Sequence, residues 1–152
     1  MLKKTLLFLL LNFAALGLGS LVTKNGVASE WYQQLNKAPW TPPGYLFGIA
    51  WSVIMICFAV YIAKIITSKT SVRFAIILYI FQWILNTSWN YVFFYYHLDV
   101  IGLFVIVSLT LVIFTFLIKY YKLIQFYSLW IAPYLIWLLI ATSLNAYIVF
   151  MN

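Results

Sequence analysis

The sequence predicts an all-α membrane protein, a bundle of five transmembrane helices with its amino terminus in the cytoplasm. Three observations lead there. Hydrophobic residues make up 66% of the 152 and charged residues only 7%, with a mean hydropathy of +1.04, whereas soluble domains are about half apolar and a quarter charged. Uncharged apolar runs recur five times at about the 20 residues that cross a hydrocarbon core of roughly 30 Å. The basic residues fall alternately between those runs, so that most collect on one side.

The first run spans residues 5–23. Lys3 and Lys4 ahead of it, and small residues from Gly17 to Ser20 near its end, also fit a secretory signal, but its length suits a first span. Residues 24–44 form the longest connection. Within it Ser29 can start a short helix through Leu35, which Ala38-Pro39 breaks, and Pro42-Pro43 holds off the next helix until Gly44. Further spans follow at 45–63, 74–96, 100–118 and 126–149. The remaining connections are short, which makes sequential helices antiparallel neighbours. No internal repeat or linker appears, so residues 1–152 form a single domain. Lys3, Lys4, Lys64, Lys69, Arg73, Lys119 and Lys122 lie on one side, and only Lys24 and Lys37 on the other. The bias places the first group inside, and the 24–44 segment, the His97/Asp99 loop and the carboxyl terminus outside.

The net charge of +7 is thus a topology signal, not a nucleic-acid patch. Glu30 and Asp99 are the only acids and both lie in connections, so no carboxylate pair is available for acid/base hydrolysis. A lone histidine, His97, and a lone mid-span cysteine, Cys57, exclude bis-histidine haem ligation and make a metal site improbable; disulfides within the chain are impossible. No charged residue inside a span is placed to bind a coupling ion, which disfavours a driven transporter.

Helical periodicity groups the remaining candidates. In the third span Gln82, Asn86, Trp89, Asn90 and Phe93 form a polar and aromatic stripe. Carboxamides facing lipid would go unpaired, so the stripe faces the bundle interior. Two readings stand: interhelical hydrogen-bonded glue, or ligand contact through Asn86 or Asn90 beside the stacking surface of Trp89. In the fifth span Pro133, Trp137, Ala141, Leu144 and Ile148 share a face with Asn145 at its edge. Pro133 is read there as interior to the span, loosening its ladder, and Ala141 as either a helix-packing notch or the floor of a slot for a flat ring. Phe47 and Trp51 of the second span lie beside the 24–44 segment, with Ile54, Phe58 and Tyr61 in the core. Asn12, Ala15 and Gly19 give the first span a close-packing face. Ser108, Thr110 and Thr115 leave the fourth span as scaffold or an oligomer face. The stretch from Trp31 to Trp51, with three tryptophans and three of the four prolines, reads as a lid, carried by Trp31, Pro39, Trp40, Pro42 and Pro43.

Three ordered motifs, WYQQLNKAPWTPPGYLFGIAW at 31–51, QWILNTSWNYVFF at 82–94 and PYLIWLLIATSLN at 133–145, resemble the tryptophan-rich sensory protein and translocator protein family, also called the peripheral benzodiazepine receptor family. The resemblance covers nearly the whole chain. It implies a five-helix bundle, often dimeric, in a bacterial cell membrane, binding porphyrins such as protoporphyrin IX, with sterols and benzodiazepines as ligands of animal members. By motif position it places ligand contacts at Tyr32, Trp51, Asn86, Asn90, Trp137, Ala141 and Leu144, to which the stripe adds Trp89. In bacterial relatives the tryptophans matching Trp51 and Trp137 are implicated in light-dependent porphyrin breakdown. The chain departs from the family where Lys37-Ala38-Pro39-Trp40 shifts a lid proline by one, where Trp89-Asn90 replaces Trp-Ser, and in the Ile54-Met55 region. No basic residue follows Lys122, so the sterol motif of animal members is absent.

The expected function is therefore a membrane sensor or translocator that binds a porphyrin-type ligand between spans under the first loop, with no resident cofactor. Membrane lipid is its surroundings, a homodimer its assembly, and nucleic acid and metal are outside its chemistry. Photo-oxidative degradation of protoporphyrin and passive transport are the alternatives.

Overall fold

The computed structural model describes residues 1–68 and 72–152; Lys69, counted above among the inner cations, lies outside them. Five long helices form the bundle: α1 (Leu2–Ala28), α3 (Gly44–Thr67), α4 (Val72–Asn90), α5 (Asp99–Ile124) and α6 (Ala132–Met151). A short helix, α2 (Glu30–Gln34), follows α1. A π-helical turn, Tyr91–Tyr95, extends α4, and a 3-10 helix, Gln125–Ile131, joins α5 to α6. No strand is present among the described residues.

Leucine, isoleucine and phenylalanine are exposed all round these helices, for example Leu10, Ile49, Phe81, Phe104 and Ile136. Helices apolar on every face suit lipid outside and a packed core inside. Among the described residues three helical stretches are long and apolar enough to cross a membrane: α1, α3, and the continuous run from Asp99 to Met151 that contains α5 and α6. Helix α4 buries its carboxamides Gln82 and Asn86, while Trp83, Trp89 and Asn90 are half-buried.

Several boundaries differ from the sequence reading. Helix α1 continues past residue 23 to Ala28, because nothing in Lys24 to Ala28 breaks a helix; the connection therefore begins at Ser29, not at 24. The Ser29 hydroxyl accepts from the Tyr32 amide at 3.2 Å and caps α2. Helix α5 runs on through its basic and tyrosine residues until Gln125, whose φ of 46° ends it. Residues 126–131 are 3-10 helix, so the last span starts at Ala132 and Pro133 sits in its first turn. There the missing amide costs no ladder bond, which corrects the reading of Pro133 as an interior loosening point.

Around the bundle the order is α3, α1, α4, α5, α6 and back to α3, with α3 and α4 touching only lightly. Consecutive spans are thus not always neighbours, since α1 wedges between the second and third. Its small residues permit this. A Cβ on Gly19 would lie 2.6 Å from the Asn90 Nδ2, and one on Gly26 2.4 Å from the Phe94 Cβ. Asn12 ties the wedge in place. Its Nδ2 donates to the Met55 carbonyl at 3.0 Å and its Oδ1 accepts from the Tyr79 hydroxyl at 2.8 Å. Aromatic packing of Phe58 with Tyr61, Tyr79, Phe116 and Tyr134 fills the centre.

Helix α5 is a scaffold element packed on α4 and α6. The Ser108 and Thr115 hydroxyls donate to carbonyls of their own helix. Thr110 does the same and also lies 3.4 Å from the Thr142 hydroxyl of α6.

Candidate functional site

A cavity of about 50 Å³ lies under the connection between α1 and α3. The connection supplies Tyr32, Lys37 and Thr41 to its wall, and α3 supplies Phe47. Trp89, Phe93 and Phe94 come from α4 and its π-helical turn; Ala141, Leu144, Asn145 and Ile148 come from α6. The wider π turn buries both members of the Phe93-Phe94 pair, 2% and 8% exposed. Their rings meet edge to face at 5.0 Å, and Trp89 stacks on Phe93 at 5.2 Å with 12° between planes. The result is an aromatic wall with one flat face.

Polar groups of the wall are held at defined places. The Trp89 indole donates to Asn145 Oδ1 at 3.1 Å, and Asn145 Nδ2 donates to the Asp99 carbonyl at 2.9 Å, linking α4, α6 and the start of α5. Lys37 is the one charged residue of the lining, and its ammonium sits 4.7 Å from the centre of the Tyr32 ring. Burial raises the Tyr32 pKa above its ordinary value of 10.0, because phenolate would be poorly solvated there.

Among the described residues the connection is held to the bundle at three points. Near the end of α6, the Asn36 amide donates to Asn152 Oδ1 at 2.8 Å and Asn36 Nδ2 to the Met151 carbonyl at 3.3 Å. Further along, the Trp40 indole donates to the Ser143 hydroxyl at 3.1 Å and its ring lies edge-on to Tyr147. At the other side, Trp31 stacks on His97 at 4.3 Å with 12° between planes. His97 itself has a φ of 55° in the turn between α4 and α5. Ala38 is buried beneath a turn closed by Thr41, whose amide and hydroxyl both donate to the Ala38 carbonyl. Pro39 and Pro43 face outward, and Pro42 is half-buried.

Of the eight candidate contacts, the cavity brings together Tyr32, Trp89, Ala141 and Leu144. The other four stand elsewhere. Trp51 lies edge-on to Tyr134 at 5.9 Å, and Trp137 edge-on to the lining residue Phe47 at 5.2 Å; neither is part of the lining. Asn90 turns toward α1: its Oδ1 accepts from the Thr23 hydroxyl at 2.8 Å while its Nδ2 donates to the Asn86 carbonyl. Gln82 Oε1 likewise accepts from the Tyr134 hydroxyl at 3.1 Å. Those two carboxamides thus bond across helices, to α1 and α6. Asn86 is buried beside them, and its carboxamide makes no hydrogen bond among the described residues. Ala141 belongs to the main core and lines the cavity. The sequence reading missed Lys37, Thr41 and Phe94 as lining residues. A doubled phenylalanine cannot share one α-helical face, and only the π turn resolves that.

A five-helix membrane bundle with an aromatic cavity under a tryptophan-bearing connection defines the class of this protein. Residues 7–151 match the TspO/MBR family, and the chain belongs to it. It is 31% identical to the tryptophan-rich protein TspO of Chlorobaculum tepidum over 128 residues, 82% of this chain and 81% of that protein. Protein CrtK of Rhodobacter capsulatus is 31% identical over 76% of this chain and 74% of its own length. A tryptophan-rich sensory protein of Cereibacter sphaeroides is 30% identical over 76% and 73%.

Proposed function

We propose that this protein binds a porphyrin-type ligand between α4 and α6, beneath the lid formed by residues 29–43, as a membrane sensor or translocator. The observation that carries the reading is the flat Trp89-Phe93 stack facing the small side chain of Ala141 across a cavity with a single cation. A porphyrin offers a broad apolar ring to stack and carboxylates at its edge, which Lys37 is placed to meet. Sites for ligands of this size hold about 300–1,000 Å³, so the 50 Å³ cavity is a closed state and binding requires the lid to lift. Its fastenings are few and mostly exposed. At about 0.5–1.5 kcal/mol for each hydrogen bond or aromatic pair, they are weak enough for a ligand that buries a whole ring to displace.

Light-driven breakdown of the ligand would need Trp51 or Trp137 against the ring, and neither lines the closed cavity; the binding role is therefore the one we carry forward. Titration of the purified protein with protoporphyrin IX, followed by the shift of its strongest absorption band, provides the test. Trp89→Ala should weaken binding at least tenfold and Lys37→Gln several-fold. Equal affinity in wild type and in a folded Trp89→Ala variant would remove the pocket from consideration.

A further inference from the structure

The opposite end of the bundle contains a larger hollow. About 650 Å³ lies where α5 gives way to the 3-10 helix, walled by Tyr121, Lys122, Gln125, Phe126, Ser128 and Leu129. Gln125 creates it by ending α5 at a φ of 46°, a conformation that residues with side chains rarely adopt, so the chain turns aside before α6 begins. Ser128 is 6% exposed, yet its hydroxyl has no hydrogen-bond partner among the described residues. A buried hydroxyl left unpaired is destabilising, and because this oxygen is closed off from solvent, an outside acceptor pairs with it only when the 3-10 helix shifts.

The electrostatics of this end point the same way. Lys3, Lys4, Lys64, Arg73, Lys119 and Lys122 lie here. The two acids of the whole sequence, Glu30 and Asp99, sit at the far end in the lid helix and at the start of α5. No carboxylate of this chain can therefore neutralise them. Some are already committed to neutral groups: Lys4 donates to the Ile66 carbonyl at 2.9 Å, Lys64 lies over the Tyr127 ring at 4.4 Å, and Lys119 over Phe74 at 5.6 Å. Lys122 has no such commitment among the described residues and faces the hollow. Phe126 and Leu129 are exposed at 75% and 61% along the same wall, giving an apolar flank next to the cation. Tyrosines at this level suit the headgroup zone of a bilayer.

We propose that this hollow is a binding site for an anionic phospholipid. The headgroup phosphate accepts from the Lys122 ammonium and, with a small shift of the 3-10 helix, from the Ser128 hydroxyl, and an acyl chain lies along Phe126 and Leu129. The site is separate from the cavity under the lid and does not depend on what that cavity binds. A lipid is favoured over a free phosphate because the cation and the orphaned hydroxyl adjoin an exposed apolar flank that inorganic phosphate would leave uncovered.

The experiment is native mass spectrometry of the full-length detergent-purified protein, titrated with dioctanoyl phosphatidylglycerol, dioctanoyl phosphatidylcholine and inorganic phosphate. Phosphatidylglycerol should bind about tenfold more tightly than phosphatidylcholine. Lys122→Gln should abolish that preference and Ser128→Ala should reduce it several-fold, whereas Lys119→Gln, outside the hollow, should leave it intact. Ser128→Ala removes an unpaired hydroxyl and is expected to fold normally, so it keeps the test decisive if Lys122→Gln proves unstable. Equal affinity for the two lipids would overturn the proposal. So would equal loss in Lys119→Gln, which would indicate diffuse surface charge, or competition by inorganic phosphate as effective as by the lipid, which would indicate a plain anion site.

Discussion

Replacing Ala141 by leucine tests the lidded cavity most sharply, because this residue both lines it and packs against the core. Ala141 is only 8% exposed, and the added side chain has nowhere to go but inward. The closed cavity of about 50 Å³ has room for one or two waters, and the leucine carbons would largely fill it. In the unliganded protein that filling offsets the crowding, so thermal melting in detergent should hold steady or rise slightly. In the liganded protein the same carbons occupy space the ring needs. Overpacking of this kind costs about 1–3 kcal/mol, roughly a ten- to hundredfold loss of affinity. The assay pairs a protoporphyrin titration, read by absorption and tryptophan quenching, with circular dichroism melting of the same samples. Affinity retained together with a lowered melting temperature would refute the reasoning and leave position 141 a helix-packing notch alone.

Other expectations follow from particular contacts. Gly26→Ala places a methyl group against the Phe94 Cβ, at 2.4 Å before adjustment, and α1 must back away; a loss of about 1–3 kcal/mol is expected in reversible unfolding, and an unchanged midpoint would show that α1 does not pack so closely. Asn152→Ala removes the two bonds that the Asn152 carboxamide makes with the Asn36 backbone, at 2.8 and 3.4 Å, and should increase hydrogen exchange across residues 30–41 several-fold without altering exchange in α3 or α5; equal protection would mean the lid is held elsewhere. Because burial raises the Tyr32 pKa, the neutral phenol favours the docked lid. Docking is thus fully supported below pH 10 and lost as pH climbs through the raised value; Tyr32→Phe should delay lid release in an alkaline exchange titration, and no difference from wild type would dissociate Tyr32 from the lid.

The fold class was legible in the sequence because in lipid every backbone amide must bond within its own helix, so long uncharged apolar runs read as helices. Close packing on Asn12, Ala15 and Gly19 was legible for a related reason: small residues spaced by a turn have no other use on an apolar helix. Family membership, too, was carried by the motifs at 31–51, 82–94 and 133–145. What the sequence could not determine was which apolar helix stands beside which, since all are alike to lipid, and so α1 appears between α3 and α4 only in three dimensions. The same limit governed the site. Periodicity put Asn86, Trp89 and Asn90 on one stripe, but a stripe spans a wide arc, and the bundle divided it: Asn90 to Thr23 of α1, Trp89 to Asn145 of α6. Trp51 and Trp137 share that lesson, packed edge-on to Tyr134 and Phe47 and outside the lining. Local chemistry decides what a residue can do, and only the packing of neighbouring helices decides what it faces.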